Sequence, residues 1–264
     1  MNVKVGRPKV LELSTLRNRF WAHAVLSQSG LPPHKMAFFY PQTAGGHDST
    51  VFHKTLELGR PTPRLWLDDG GEGPAIRMAK EWPGTLEWLL HPFWSAIANT
   101  HLPLLHTVYT YMSALGEATG ISMVQFDAYT GEVTRTSGSV VEELEQLASD
   151  GSLDSLALVV LRAQEAYIRC QISDHRCIVE FSASTVPAWP CMRWAPLGLR
   201  DSLASLVFDV VDELSPDQVP APCDARQHCL TQTLLMFDKT RSPTKDLSVL
   251  DSLLSGSACP SSDS

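Results

Sequence analysis

Apolar residues recur at helical spacing near the start of the chain. Leu13, Leu16, Phe20 and Ala24 lie three or four positions apart, which places them on one face of a helix. Gly30 follows this stripe, and glycine readily adopts the left-handed conformation that ends a helix. The pattern therefore predicts a first helix that stops at Gly30.

Four shorter helices are predicted after the first, which gives a five-helix unit over residues 13–99. Pro33 fits the first turn of the second helix, because its missing N–H costs nothing there. Ser49 or Thr50 can cap a third helix, and Gly59 can stop it. The last two helices are expected near Pro74–Glu81 and Thr85–Ala98. The side chains expected inside the unit are Phe20, Met36, Val51, Leu56, Ile76, Leu86 and Leu89.

The second half of the chain also has helical patterns. Ser139 and Glu142 have the spacing of a capping box, which opens a helix to about residue 149. Apolar positions in residues 153–168 form one face of a further helix. A long apolar stripe from Leu199 to Leu214 predicts another, which packs against a helix of this chain or of a second copy.

Two stretches favour β-structure. Residues 121–126 and 133–135, separated by Tyr129-Thr130-Gly131, predict a small β-hairpin. Residues 177–181 are short, apolar and compatible with a strand. We expect any strand to lie beyond residue 117.

Three short runs occur in a fixed order within the first hundred residues. Gly30-Leu31 precedes Ala37, then Glu57, Gly59 and Pro63 follow, and Thr85-Leu86-Glu87-Trp88-Leu89 comes last. This order resembles the lambda-repressor-like (Cro/repressor-type) helix-turn-helix DNA-binding domain of bacterial and phage regulators. In that family the first run forms the turn and second helix, the second closes helix three, and the third begins a later helix.

Three features depart from the resembled family. Pro33 stands where the family usually has a polar residue that contacts phosphate. Residues 41–48 lengthen the turn before helix three, and residues 68–73 form a second insertion. These departures concern how the domain would dock on DNA more than the fold.

The resemblance implies a DNA-binding face around helix three. In the family the start of this helix enters the major groove, which corresponds here to Thr50, His53 and Lys54. Lysine and arginine neutralise phosphates, whereas histidine and threonine can meet base edges. The alternative is a solvated polar face without a ligand. The expected DNA-binding residues are Arg17, Lys35, Ser49, Thr50, His53, Lys54, Arg60 and Arg64.

Charge is distributed unevenly along the 264 residues, whose formal net charge is −8. Residues 1–100 hold 11 Lys and Arg against 8 Asp and Glu, whereas residues 101–264 hold 10 against 21. The total argues against a simple basic nucleic-acid binder. A mildly basic N-terminal part can still bind phosphate locally, because salt confines charge effects to about 8–10 Å.

Other functional classes have little support in the sequence. The six cysteines form no Cys-x-x-Cys pair, and the nine histidines lack the spacing of a helical zinc site. We therefore expect no metal, no cofactor and no enzymatic activity. No secretory signal is recognised, and His and Pro residues interrupt the uncharged stretch 88–116, so we expect a cytoplasmic protein without a membrane span.

The sequence thus predicts a mainly α protein, an N-terminal five-helix lambda-repressor-like bundle followed by a mostly helical second domain. The first hypothesis is a sequence-specific, homodimeric transcriptional regulator that binds duplex DNA. The alternative is a protein-interaction adaptor of a mobile-element or defence system, built on a helix-turn-helix core. The expected divisions are a flexible arm (1–12), the helix-turn-helix domain (13–99), a helical C-terminal domain (100–214), and a linker, short helix and disordered tail (215–264).

Overall fold

Ten α-helices and one β-hairpin make up the residues described by the computed structural model, which are 10–40, 50–60, 73–98 and 105–215 without 128, 131, 132 and 137. The helices are α1 (Val10–Ser29), α2 (Thr50–Leu58), α3 (Pro74–Glu81), α4 (Glu87–Leu90), α5 (Pro92–Ala98), α6 (Leu105–Thr119), α7 (Val140–Asp150), α8 (Leu153–Ile168), α9 (Ile172–Thr185) and α10 (Leu197–Glu213). Three 3-10 helices are Pro33–Phe39, Val186–Ala188 and Pro190–Met192. The mainly α fold class is therefore confirmed. Most of the expected arm and residues 216–264 lie outside the described residues.

The first predicted helix is α1, and it is buried on two sides rather than one. Phe20 and Trp21 are neighbours, and so point about 100° apart on a helix, yet both are fully buried. Phe20 stacks on Trp88 with ring centroids 5.1 Å apart, while Trp21 meets Phe52 edge-on at 6.0 Å. The reason is that α1 packs against α2, α4 and α10 together.

The core of α1 includes residues from both halves of the chain. Trp194 packs edge-on against Phe20 at a centroid distance of 6.1 Å and against Trp88 at 5.0 Å. In addition, α5 packs against α8. A layout of two domains divided between residues 99 and 100 is not confirmed.

The second predicted helix is a 3-10 helix, not an α-helix. Pro32 and Pro33 lack N–H donors, and the N–H of Lys35 bonds to the carbonyl of Pro32, an i to i+3 bond at 3.0 Å. Tyr40 then continues in extended conformation. The helix Pro33–Phe39 still packs against α2 and buries Met36 and Ala37.

The third and fourth helices begin and end close to their predicted bounds, as α2 and α3. The fifth divides into α4 and α5 at His91, because the residue before a proline disfavours the α-helical region and His91 has ψ 137°. His91 Nδ1 accepts the N–H of Phe93 at 3.0 Å, so Nε2 carries the proton that bonds to Asp154 at 2.9 Å. Of the predicted core, Phe20, Met36 and Leu89 are buried, whereas Val51, Leu56, Ile76 and Leu86 are half-buried.

The predicted hairpin is present as β1 (Val124–Phe126) and β2 (Val133–Arg135), with Val124 opposite Arg135. The strand expected at residues 177–181 is wrong, because these residues lie within α9. His175, Ile178 and Ser182 are the buried positions of that helix. Their spacing of three and four residues is helical, and the short apolar run sits inside this longer period.

The apolar stripe of α10 is buried within this chain. Leu199, Leu203, Val207 and Val210 are at most 2% exposed. The helix packs against α1, α8 and α9. Of the two alternatives open from the sequence, packing inside one chain is the one found for these four residues.

A balanced network of charged side chains ties the hairpin to the helices. Arg162 of α8 contacts Glu165 at 3.1 Å, Glu143 of α7 at 3.3 Å and Asp174 of α9 at 2.5 Å. The contact with Glu165 is an ion pair without hydrogen-bond geometry. Arg135 of the hairpin pairs with Glu143 and lies 3.5 Å from Glu165.

The network ends at Tyr109 of α6 and the partly exposed Arg169. The Tyr109 hydroxyl donates to Glu165 at 2.9 Å and accepts from Arg169 at 2.8 Å. Burial, with the Glu165 carboxylate beside it, raises the pKa of Tyr109. The phenol therefore remains a hydrogen-bond donor at neutral pH. The network as a whole is balanced, because it contains three arginines (Arg135, Arg162 and Arg169) and three carboxylates (Glu143, Glu165 and Asp174).

Candidate nucleic-acid interface

Six of the eight expected DNA-binding residues lie in described segments, and Ser49 and Arg64 lie outside them. Arg17 is on α1, Lys35 is on the 3-10 helix Pro33–Phe39, and the others are on or just after α2. The 3-10 helix and α1 both pack against α2. The fold therefore brings three separate segments that carry these residues into one neighbourhood.

Three of the predicted DNA-binding residues share the outer face of α2. Phe52 and Thr55 point inward and are at most 1% exposed. Thr50 is exposed, and His53 and Lys54 are half-buried. Spacings of three and four residues place these three side chains on one side of the helix. This arrangement agrees with the polar face expected for helix three.

The end of α2 is fixed directly on α1. The Asn18 side chain, fully buried on α1, donates to the carbonyls of Arg60 at 2.8 Å and Gly59 at 3.4 Å. Gly59 has φ +58°, and a Cβ there would lie 2.3 Å from the Thr15 carbonyl oxygen. The hydrogen bond from Asn18 holds the backbone of Arg60 in place, while the Arg60 side chain remains exposed.

The cations of this region are not neutralised within the described part of the chain. Arg17, Lys35, Lys54 and Arg60 form no ion pair there, in contrast to Arg135, Arg162 and Arg169 of the buried network. Unpaired positive side chains on adjoining segments attract a polyanion.

Two further arginines, Arg19 of α1 and Arg77 of α3, share this property. Like Arg17, each is half-buried and has an Nε atom that is buried without a hydrogen-bond partner in the described ranges. Burial lowers the pKa of Arg17. Burial and the nearby Arg19 also lower the pKa of His23. We did not expect Arg77 from the sequence, because the short apolar run around it predicts only a helix of the bundle.

Apolar side chains are exposed on the same elements. Phe38 is 66% exposed, Leu58 is 57% exposed and Leu31 is 41% exposed. Leu58 ends α2, and Phe38 lies on the 3-10 helix that packs against it. Large exposed apolar residues are more typical of protein contacts than of phosphate contacts.

Within the described segments, no three His, Cys, Asp or Glu side chains are arranged to hold a metal ion. Of the described helices, none is long and apolar enough to cross a bilayer.

Comparisons with known proteins found no relative of this chain. No family model, no curated protein and no solved structure matches this chain.

Proposed function

We propose that this protein is a sequence-specific DNA-binding regulator that acts in the cytoplasm and reads duplex DNA with the outer face of α2. The observation that carries the proposal is the set of unpaired cations on adjoining segments, Arg17, Lys35, Lys54 and Arg60. Phosphate contacts supply most of the affinity of such proteins for DNA.

The dimensions and chemistry of α2 support the proposal. An α-helix with its side chains is about 10–12 Å across, so the major groove, about 12 Å wide, admits the nine-residue α2. Thr50 and His53 would meet base edges, while Lys54 and Arg60 would contact phosphates on either side. Regulators of this kind commonly bind two half-sites as dimers, so we also propose a homodimer on DNA.

The test is a selection of bound duplexes from a random pool, followed by titrations at several salt concentrations. We expect Lys54→Ala and Arg60→Ala each to weaken binding to all duplexes and to lower the salt slope by about 0.9. His53→Ala should cost about 1–3 kcal/mol on the selected site and little on random DNA. Arg193→Ala is the matched control, because Arg193 is exposed and lies outside this region.

A second function is favoured by the exposed Leu31, Phe38 and Leu58. In this alternative the protein is an adaptor of a mobile-element or defence system, and the same face binds another protein. Leu58→Ser would then abolish the complex and Lys54→Ala would weaken it only in low salt. If the selection enriches no duplex and the titrations show no salt-dependent binding to DNA, the DNA-binding function is refuted. The adaptor function is then the one that is left.

A further inference from the structure

A groove of about 320 Å³ opens between α9 and α10. Ser182 of α9 and Pro187 of the 3-10 helix Val186–Ala188 line one side, and Asp201, Ala204, Ser205 and Phe208 of α10 line the other. This volume falls at the small end of the range of ligand sites, about 300–1,000 Å³. It lies outside the elements that carry the proposed DNA-binding face.

The groove follows from the sizes of the facing side chains. Positions 201, 204, 205 and 208 recur at helical spacing, so they form one stripe of α10. Ala204 and Ser182 are small, and they leave a space beside the half-buried ring of Phe208. Together with Pro187, this ring and Ala204 give the groove an apolar surface.

Among the described residues that line the groove, Asp201 carries the only charge. Asp201 is exposed and forms no ion pair with any described residue, and no Lys or Arg lines the groove. The Ser182 hydroxyl, on the groove wall, is buried and has no hydrogen-bond partner in the described part. A single carboxylate beside an apolar surface is complementary to an organic cation.

We propose that this groove binds a small organic amine whose apolar body packs on Phe208, Ala204 and Pro187 and whose ammonium group binds Asp201. Hydrogen bonds between ionised partners are stronger than neutral ones, so the amine should bind more tightly than a neutral analogue of the same shape. Because Asp201 is exposed, added salt should weaken binding of the amine and leave binding of the neutral analogue unchanged.

The proposal is tested by calorimetric titration of the full chain with 2-phenylethylamine, 2-phenylethanol and 3-phenylpropionate. We expect the amine to bind about tenfold more tightly than the alcohol and the carboxylate to bind least. Asp201→Asn should reduce the affinity for the amine to that for the alcohol. Ala204→Leu should fill the groove and abolish binding of both. Asp209→Asn is the matched control, because Asp209 is exposed on α10 but does not line the groove.

Any of the following results would overturn the proposal. The amine and the alcohol could bind equally, Asp201→Asn and Asp209→Asn could have the same effect, or no binding could occur at millimolar concentration. Tighter binding of a lysine-containing peptide than of the free amine would assign the groove to a protein partner instead. Circular dichroism of each variant separates loss of the site from loss of the fold.

Discussion

Replacing Arg162 by methionine removes the centre of the buried charge network. Arg162 is 3% exposed, and its guanidinium contacts Glu143, Glu165 and Asp174. Methionine keeps much of the volume, so the change tests the charge rather than the packing. It leaves three carboxylates against two arginines in the network.

The expected loss of unfolding free energy follows from what remains around each carboxylate. Removing one partner of a buried ion pair typically costs about 3–5 kcal/mol. Glu165 is 1% exposed, but it keeps the Tyr109 hydroxyl at 2.9 Å and Arg135 at 3.5 Å. The side chain of Asp174 is 27% exposed and can gain water. We therefore expect a loss of about 3 kcal/mol, at the low end of the range.

Urea unfolding followed by tryptophan fluorescence measures this loss. Arg176→Met is the control, since Arg176 is exposed and forms no ion pair within the described ranges, and it should change stability by at most about 0.5 kcal/mol. The double variant Arg162→Met, Glu165→Gln should lose less than the sum of the single variants, because it restores the balance of charge. A loss below about 1 kcal/mol for Arg162→Met, or additive single effects, would contradict a coupled network.

Three other changes test local features. Cys170 has φ +53° where a Schellman motif ends α8, so Cys170→Gly should raise the unfolding free energy by up to about 1 kcal/mol; equal urea midpoints for Cys170→Gly and Cys170→Ala would contradict this. Burial raises the pKa of the Cys191 thiol to about 12, so mass mapping at pH 8 should show alkylation of the exposed Cys170 long before Cys191, and equal rates would refute the burial. Asn18→Ala should lower the unfolding free energy by about 1–3 kcal/mol, because two carbonyls after α2 lose their donor, and an unchanged denaturation midpoint would show that the anchor is unimportant.

Local patterns predicted the elements that depend on few neighbours. Gly30 stops α1 with φ +63°. The helix expected after Ser139 is α7, although the Ser139 side chain forms no cap hydrogen bond in the described part of the chain. The hairpin needed only two strands and a turn. The second helix is a 3-10 helix because Pro32 and Pro33 remove two neighbouring N–H donors, an effect that the prediction did not include. The strand expected at 177–181 was wrong because this short apolar run lies within the longer helical period of α9.

The sequence patterns did not predict the long-range contacts. Nothing near Trp194 indicates that it packs on Phe20, and nothing near Arg162 indicates that Glu143 and Asp174 surround it. The placement of Arg77 was missed for the same reason. The polar face of α2 followed from local spacing, whereas the packing of α1 and the 3-10 helix Pro33–Phe39 against α2 did not.

The distribution of charge links the core to the proposed interface. The arginines of the network are matched by carboxylates, so its charges cancel and the acidic surplus of the second half comes from other residues. If the protein binds DNA as proposed, the unpaired cations of α1, α2 and the 3-10 helix can attract the duplex despite that surplus, because charge effects reach only about 8–10 Å in physiological salt. Because Phe20 and Trp88 share their core with Trp194, removing the acidic half would also expose this core, and substitutions of single surface charges are the cleaner way to separate attraction from folding.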